Sequence, residues 1–224
     1  LRDSGVDVSL VACDSRTPTG HAIIQVEKGG QNSIILFPGA NGAIGQEDIA
    51  RTLDACHPGD VLLLQNEISG MARIIALARE KGLYIVLNPS PMDAQLMECG
   101  LEQIDLFLLN EIEGRMLSGQ SEPEKILDTL LTRYPRAKVV LTLGEQGAWY
   151  ASGTQRIYQG SFACTVVDTT AAGDTFTGYF LAAYLSGNTP QDSMRRGAKA
   201  ASLAIGKQGA AASIPLKQDV DAAL

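Results

Sequence analysis

Asp168-Thr169-Thr170-Ala171-Ala172-Gly173-Asp174-Thr175-Phe176 marks the place where an apolar segment stops, small residues follow and an amphipathic helix begins. Beyond Gly173 the apolar residues Phe176, Tyr179, Phe180, Ala183 and Tyr184 recur three and four apart, so the helix buries one face and starts near Ala172. The first amides of a helix lack internal acceptors, and with no side chain larger than methyl on Ala171, Ala172 or Gly173 an anion can approach them closely. The helix dipole favours negative charge at the same point. A carboxylate at Asp174 repels a phosphate, which makes chemical sense if it takes the proton from the group attacking that phosphate. An ordinary capped helix with an acid in its first turn accounts for the same nine residues.

Working outward, the segments upstream alternate between strand and helix. His21 to Glu27 and Ser33 to Phe37 read as a hairpin around Lys28-Gly29-Gly30-Gln31-Asn32, and Val6 to Ala12 alternates as a further strand. Gln46 to Cys56 has a helical period, and Asp60 to Gln65 is an apolar run of the kind buried on both faces of a parallel sheet. Helix 69–81, strand 83–87, helix 92–99, strand 104–109, helices 111–117 and 123–133, and strand 137–143 follow. Strands 148–151 and 155–158 pair antiparallel, and helices 173–185 and 191–207 close the chain. Repeated β–α units predict a mostly parallel, doubly wound sheet with helices on both faces, and ligands at the carboxyl ends of its strands.

Four polar clusters stand at those ends: Gln65-Asn66-Glu67, Asn88-Pro89-Ser90-Pro91, Asn110-Glu111-Ile112-Glu113 and Thr142 to Gly147. Each alone reads as a cap or a turn; four at one sheet edge, beside a phosphate-type helix start, point to a site. No P-loop, dinucleotide fingerprint, zinc-protease motif or metal-type Cys/His spacing occurs. His21 and His57, the only histidines, read as structural.

Composition narrows the classes. At 224 residues the chain suits one large α/β domain, and a net charge of −7 leaves no basic face for nucleic acid or an anionic membrane. Cys13, Cys56, Cys99 and Cys164 are scattered, which predicts buried, reduced thiols and a cytoplasmic protein. No apolar run reaches 18 residues, so no membrane span is expected. The opening Leu-Arg-Asp-Ser-Gly reads as the end of a helix and its cap, which predicts a segment upstream.

Taken together, D-T-T-A-A-G-D-T-F at 168–176 resembles the second signature of the ribokinase-like PfkB family of carbohydrate kinases. Pro18 to Ala22, Pro38 to Gly42, L-N-P-S-P at 87–91, N-E-I-E at 110–113 and T-L-G-E-Q-G at 142–147 fall in the family's order, nearest its ribose-phosphorylating members. The resemblance implies a single kinase domain, a three-layer α/β/α sandwich with a small β lid within about residues 20–40. It also implies transfer of phosphate from ATP to a sugar's primary hydroxyl. Asp174 would be the base, and the amides of Ala171, Ala172 and Gly173 the anion hole. Asn110 and Glu113 would help place Mg2+ and phosphate, and Asn88, Thr142, Gly144 and Gly147 would meet the nucleotide. Glu67, Ala22 and Ile24 would hold the sugar. Asp168, Thr170, Ala204, Lys207, Gly209 and Ser213 would form a loop pair around K+. The partners implied are sugar and ATP, with a homodimer formed through the lid. The family's first β–α segment with its G-G-K-G-A-N-type motif has no match, so part of the sugar pocket is expected to lie outside this sequence. Relatives that phosphorylate other acceptors (fructose phosphates, 2-keto-3-deoxygluconate, nucleosides) and non-catalytic binders on the same fold remain alternatives.

Overall fold

The computed structural model describes residues 1–26 and 32–224, apart from the side chains of residues 24, 26 and 32–34. The chain divides into two compact units, residues 1–85 with 90–103, and residues 86–89 with 104–224.

The first unit opens with irregular chain and a hairpin of β1 (His21–Val26) and β2 (Asn32–Phe37), paired antiparallel with Ala22 opposite Leu36 and Ile23 opposite Ile35. The connection expected over Lys28 to Gln31 lies outside the described residues. Helix α1 (Gln46–Asp54) buries Ile49 and Leu53, β3 (Val61–Gln65) follows, and α2 (Met71–Glu80) buries Met71, Ile74, Ile75 and Ala78. Strand β4 (Tyr84–Asn88) carries the chain from one unit to the other.

The second unit continues with β5 (Leu106–Asn110), α3 (Glu111–Ser118), α4 (Pro123–Arg133), β6 (Lys138–Thr142), β7 (Ala148–Ser152), β8 (Gln155–Gln159), α5 (Ala172–Leu185), α6 (Pro190–Ala204) and α7 (Lys217–Ala223). Strands hydrogen-bond in the order β3-β4-β5-β6-β7-β8, with β4, β5 and β6 parallel and β7 and β8 antiparallel. Ile85 to Leu87, Leu106 to Leu109 and Val139 to Leu141 are almost wholly buried, which is why these stretches read as continuous apolar runs. This is an α/β architecture, a mixed six-stranded sheet with helices in its connections.

Helix α5 packs on α6 closely enough that a Cβ on Gly197 would lie 3.0 Å from the Phe176 carbonyl oxygen. Phe176, Phe180 and Tyr184, one turn apart, stack along α5 with centroids 6.1 and 5.3 Å apart. Complete burial of Phe180 contributes about 1.5–3 kcal/mol.

The structure corrects four expectations. Val6 to Ala12 forms no strand: among the described residues it has no ladder partner, and Val6, Leu10 and Val11 stay exposed. The helix expected over 92–99 is replaced by two short 3-10 turns, Leu96–Glu98 and Leu101–Gln103, separated by Gly100 at φ 75°. The Asp93 carboxylate accepts the Leu96 amide there, and an Asp side chain that bonds its own main chain favours a turn over a helix. Strand β3 is buried on one face only, with Leu64 inside and Val61 and Leu63 exposed. The thiols are not buried either: Cys13 and Cys164 are exposed, Cys56 and Cys99 partly so, and all four are free. Among the described residues no helix is long and apolar enough to cross a membrane.

Candidate active site

The polar clusters do stand at strand ends: Gln65 ends β3, Asn88 ends β4, Asn110 ends β5 and Thr142 ends β6. The segments beyond those ends differ in kind.

In the second unit, α5 begins from an unusual residue. Ala171, its N-cap, has φ 60° and ψ 13°, the one positive φ outside glycine among the described residues. An L-residue in that region carries a cost of about 1–2 kcal/mol. The first helical bond runs from the Thr175 amide to the Ala171 carbonyl at 2.9 Å. The Ala172 amide donates to the Thr169 carbonyl at 3.2 Å, whereas those of Ala171 and Gly173 have no acceptor among the described residues. The anion hole expected from three amides therefore has two that are uncommitted, and Ala172 would have to give up a long bond to join them. Gly173 and Asp174 are exposed, and a Cβ on Gly173 would meet nothing within 4 Å, so the space above this turn is open.

Gly173 and Ala172 also line a cleft of about 600 Å³ together with Thr142, Gly144 and Gly147. The loop after β6 is shaped by its glycines. Gly147 has φ 87°, and a Cβ there would sit 2.2 Å from the Gln159 carbonyl oxygen, so no other residue fits. The wall of the cleft comes from Phe162, Val166 and Ile205 and from the small residues Ala198 and Ala201, one turn apart on α6. Sequence reasoning passed over these. The stripe of small residues along α6 carried the signal, but small residues serve helix packing as well as clefts.

The helix start is tethered from behind. The Asp168 carboxylate accepts the Thr170 amide on one oxygen and the Gly209 amide on the other, each at 2.9 Å. The Val167 and Asp168 amides both donate to the Ile205 carbonyl. Hydrogen bonds from the Thr170 side chain, then from the Gly209 and Thr170 amides, hold the Asp168 carboxyl below the usual carboxylate range. The end of α6 at Ala204 and the loop after it, with Lys207, Gly209 and Ser213, are thereby joined to the loop before α5. Within it the Lys207 amide donates to Ala204 and both the Ser213 amide and hydroxyl donate to Ala210.

Asn110 and Glu113 form a reciprocal capping box on α3: the Glu113 amide donates to Asn110 Oδ1 and the Asn110 amide to Glu113 Oε2, both at 2.9 Å. Glu113 is buried. The pair fits a hydrated Mg2+ held mainly by phosphates rather than a protein-only cage, and among the described residues no cluster of His, Cys, Asp and Glu could hold a metal alone.

In the first unit, Glu67 and Ala22 line a common cleft of about 560 Å³, with Leu36, Asn41 and Asp93. Asn66 fixes its floor, its amide donating to the Ser90 carbonyl and its side chain to that of Pro91 at 2.8 Å. The two Pro-Gly-type segments meet here, the Ala40 amide bonding the Pro18 carbonyl at 2.9 Å. The side chain of Ile24 lies outside what is described.

Residues 1–217 match the model of the pfkB family carbohydrate kinases. The ribokinase of Staphylococcus aureus (strain COL) is 35% identical over 223 residues, which cover 96% of this chain and 73% of that protein. Among solved structures, the Arabidopsis thaliana ribokinase complexed with ribose and ATP superimposes with TM-score 0.78 at 31% identity, over 92% of this chain and 69% of that one. The Cryptococcus neoformans var. grubii ribokinase in complex with ADP does so with TM-score 0.85 at 28% identity, over 100% and 77%. The glycine-shaped nucleotide-sized cleft, the strained helix start and the acid in its first turn are thus found on a chain that belongs to the pfkB family of carbohydrate kinases.

Proposed function

We propose that the protein is a ribose kinase, converting D-ribose and ATP to D-ribose 5-phosphate and ADP, and that its two units together form one kinase domain. The observation that carries the reading is the α5 helix start: free amides at Ala171 and Gly173, a strained cap, and Asp174 next in sequence, with Gly173 lining the nucleotide-sized cleft and Asp174 a second hollow that it shares with Tyr179 and Ile214. The similarity to ribokinases over nearly the whole chain supports ribose as acceptor.

In this mechanism Asp174 takes the proton from the primary hydroxyl as its oxygen attacks the γ-phosphorus. The Ala171 and Gly173 amides, joined by Ala172, stabilise charge developing on the transferring phosphoryl group. Thr142, Gly144 and Gly147 bound the nucleotide, and Asn88 orients its phosphate end. Asn110 and Glu113 would help hold a hydrated Mg2+, which would supply neutralisation of phosphate charge. Glu67 accepts hydrogen bonds from sugar hydroxyls, and Ala22 and Ile24 cover the sugar's apolar side.

Asp168, Thr170, Ala204, Lys207, Gly209 and Ser213 make a loop pair suited to K+ through main-chain carbonyls. Such an ion would fix the conformation of residues 171–173, so replacing K+ with tetramethylammonium at equal ionic strength lowers turnover more than sugar affinity. The hairpin exposes Ile23, Ile35 and Phe37 on one face, which supports a homodimer through the lid, to be checked by light scattering. The function is tested by ATP consumption across pentoses, hexoses, sugar phosphates and nucleosides. Ribose should give the highest kcat/KM, and a clear preference for another acceptor overturns the assignment.

A further inference from the structure

Resting on the reading of the second unit's cleft as the nucleotide site, we propose that Tyr158 and Ser161, at and just beyond the end of β8, are positioning residues for ATP: together they clamp the loop after β6 in the shape that receives phosphate. Within that loop the Gln146 amide donates to the Leu143 carbonyl at 3.1 Å, the Gly147 amide to Gly144 at 3.1 Å and the Leu143 amide to Gly147 at 2.8 Å. The two carbonyls that no amide of the loop reaches are taken by side chains. Ser161 Oγ donates to the Glu145 carbonyl at 2.6 Å, and Tyr158 Oη donates to the Gln146 carbonyl at 2.8 Å. All five carbonyls from Leu143 to Gly147 are therefore engaged, while the amides of Gly144 and Glu145 have no acceptor among the described residues.

A carbonyl oxygen repels a polyphosphate, whereas successive unpaired amides in a turn attract one. Gly144, Glu145 and Ser161 all line the cleft, so the state of these carbonyls bears directly on what a nucleotide meets there. The loop also has no slack on the side of β8, since a Cβ on Gly147 would lie 2.2 Å from the Gln159 carbonyl oxygen. Tyr158 is half-exposed, does not line the cleft, and is held from one side by the Trp149 ring, with centroids 5.1 Å apart. It acts on the nucleotide only through the Gln146 carbonyl. Without either donor the loop spreads over further conformations, and apparent affinity falls with the fraction that stays competent.

Tyr158→Phe keeps the ring against Trp149 and removes only the donor; Ser161→Ala removes the second donor, and Ser161→Thr retains it. Titration of the purified chain with a fluorescent N-methylanthraniloyl-ATP should give a Kd about two- to tenfold higher for Tyr158→Phe and for Ser161→Ala, the range for one neutral hydrogen bond, with Ser161→Thr near wild type. Ribose affinity, measured by calorimetry, and the melting temperature should hardly move, which a merely structural role would not allow. Wild-type nucleotide affinity in either donor-less variant, an equal loss in Ser161→Thr, or a parallel loss of ribose affinity overturns the clamp while leaving the cleft assignment standing. That assignment has its own readout in the unaltered protein, where ATP should shift the NMR signals of the Gly144 and Glu145 amides. Signals that stay in place put the nucleotide elsewhere and remove both readings.

Discussion

The Asp168 carboxylate reaches across 41 positions of sequence to accept the Gly209 amide at 2.9 Å, while its other oxygen holds the Thr170 amide just before the α5 start. One side chain thus fixes both loops behind the proposed anion hole. Asn at 168 has a single acceptor oxygen and must release one of the two amides. Asp168→Asn should lower kcat on the order of ten- to a hundredfold with little change in sugar Kd, since small misplacements of transition-state donors are costly. The pH sign follows from the depressed carboxyl: the clip is fully formed above the ordinary carboxylate value and is lost as pH falls through the lower folded value. Exchange protection of the Gly209 amide, followed by NMR on acidification, should therefore persist below the ordinary range before it disappears.

Asp174→Asn should reduce turnover by about 10²–10⁴ and leave nucleotide binding intact, the range for a general base. Calorimetry with ATP, paired with steady-state rates, separates the two effects. Turnover close to wild type would remove the base from Asp174.

Replacement of Glu67 by Ala should weaken sugar binding by about 1.5 kcal/mol, the lower end for a hydrogen bond to a charged group because Glu67 is exposed, or about tenfold in Kd. Nucleotide affinity should not move. Parallel losses for both ligands would show that the carboxylate holds the fold instead.

Two glycines on one cleft should behave oppositely. Gly147→Ala forces a Cβ against the Gln159 carbonyl at a φ of 87°, and should cost about 1–3 kcal/mol or more, lowering Tm by several degrees. Gly173→Val adds atoms where nothing lies within 4 Å, so stability should stay nearly constant while nucleotide affinity and kcat fall. Thermal melts alongside kinetics decide both.

Tyr150, buried against Tyr184, has its phenol pushed up to about 12, chiefly by burial and then by its neighbour Tyr184. Between the ordinary value and about 12 the folded protein keeps a proton that the unfolded chain has lost, so stability is full below pH 10 and falls as pH rises to 12. Urea melts across that window should show the fall, and Tyr150→Phe should flatten it.

Much of the fold was legible because its signals are local. Helix α4 begins and ends where Pro123 and Arg133 predicted, and α3 starts at the Asn110–Glu113 box because a cap is a contact over three residues. The motif at 168–176 likewise announced the start of α5 and the place of Asp174. The ends of β4, β5 and β6 follow from where buried apolar runs give way to polar residues.

Long-range pairing was decided only in three dimensions. Val6 to Ala12 alternates like a strand yet has no ladder among the described residues, because a strand is stable only when another segment supplies its hydrogen bonds. The left-handed turn at Ala171, the bond that engages the Ala172 amide, and the wall that Ala198 and Ala201 lend to the cleft arise where elements distant in sequence meet. The residues themselves set the chemistry available at the α5 start; packing decided which amides are free to use it, because each amide has one proton and the nearest well-placed carbonyl takes it.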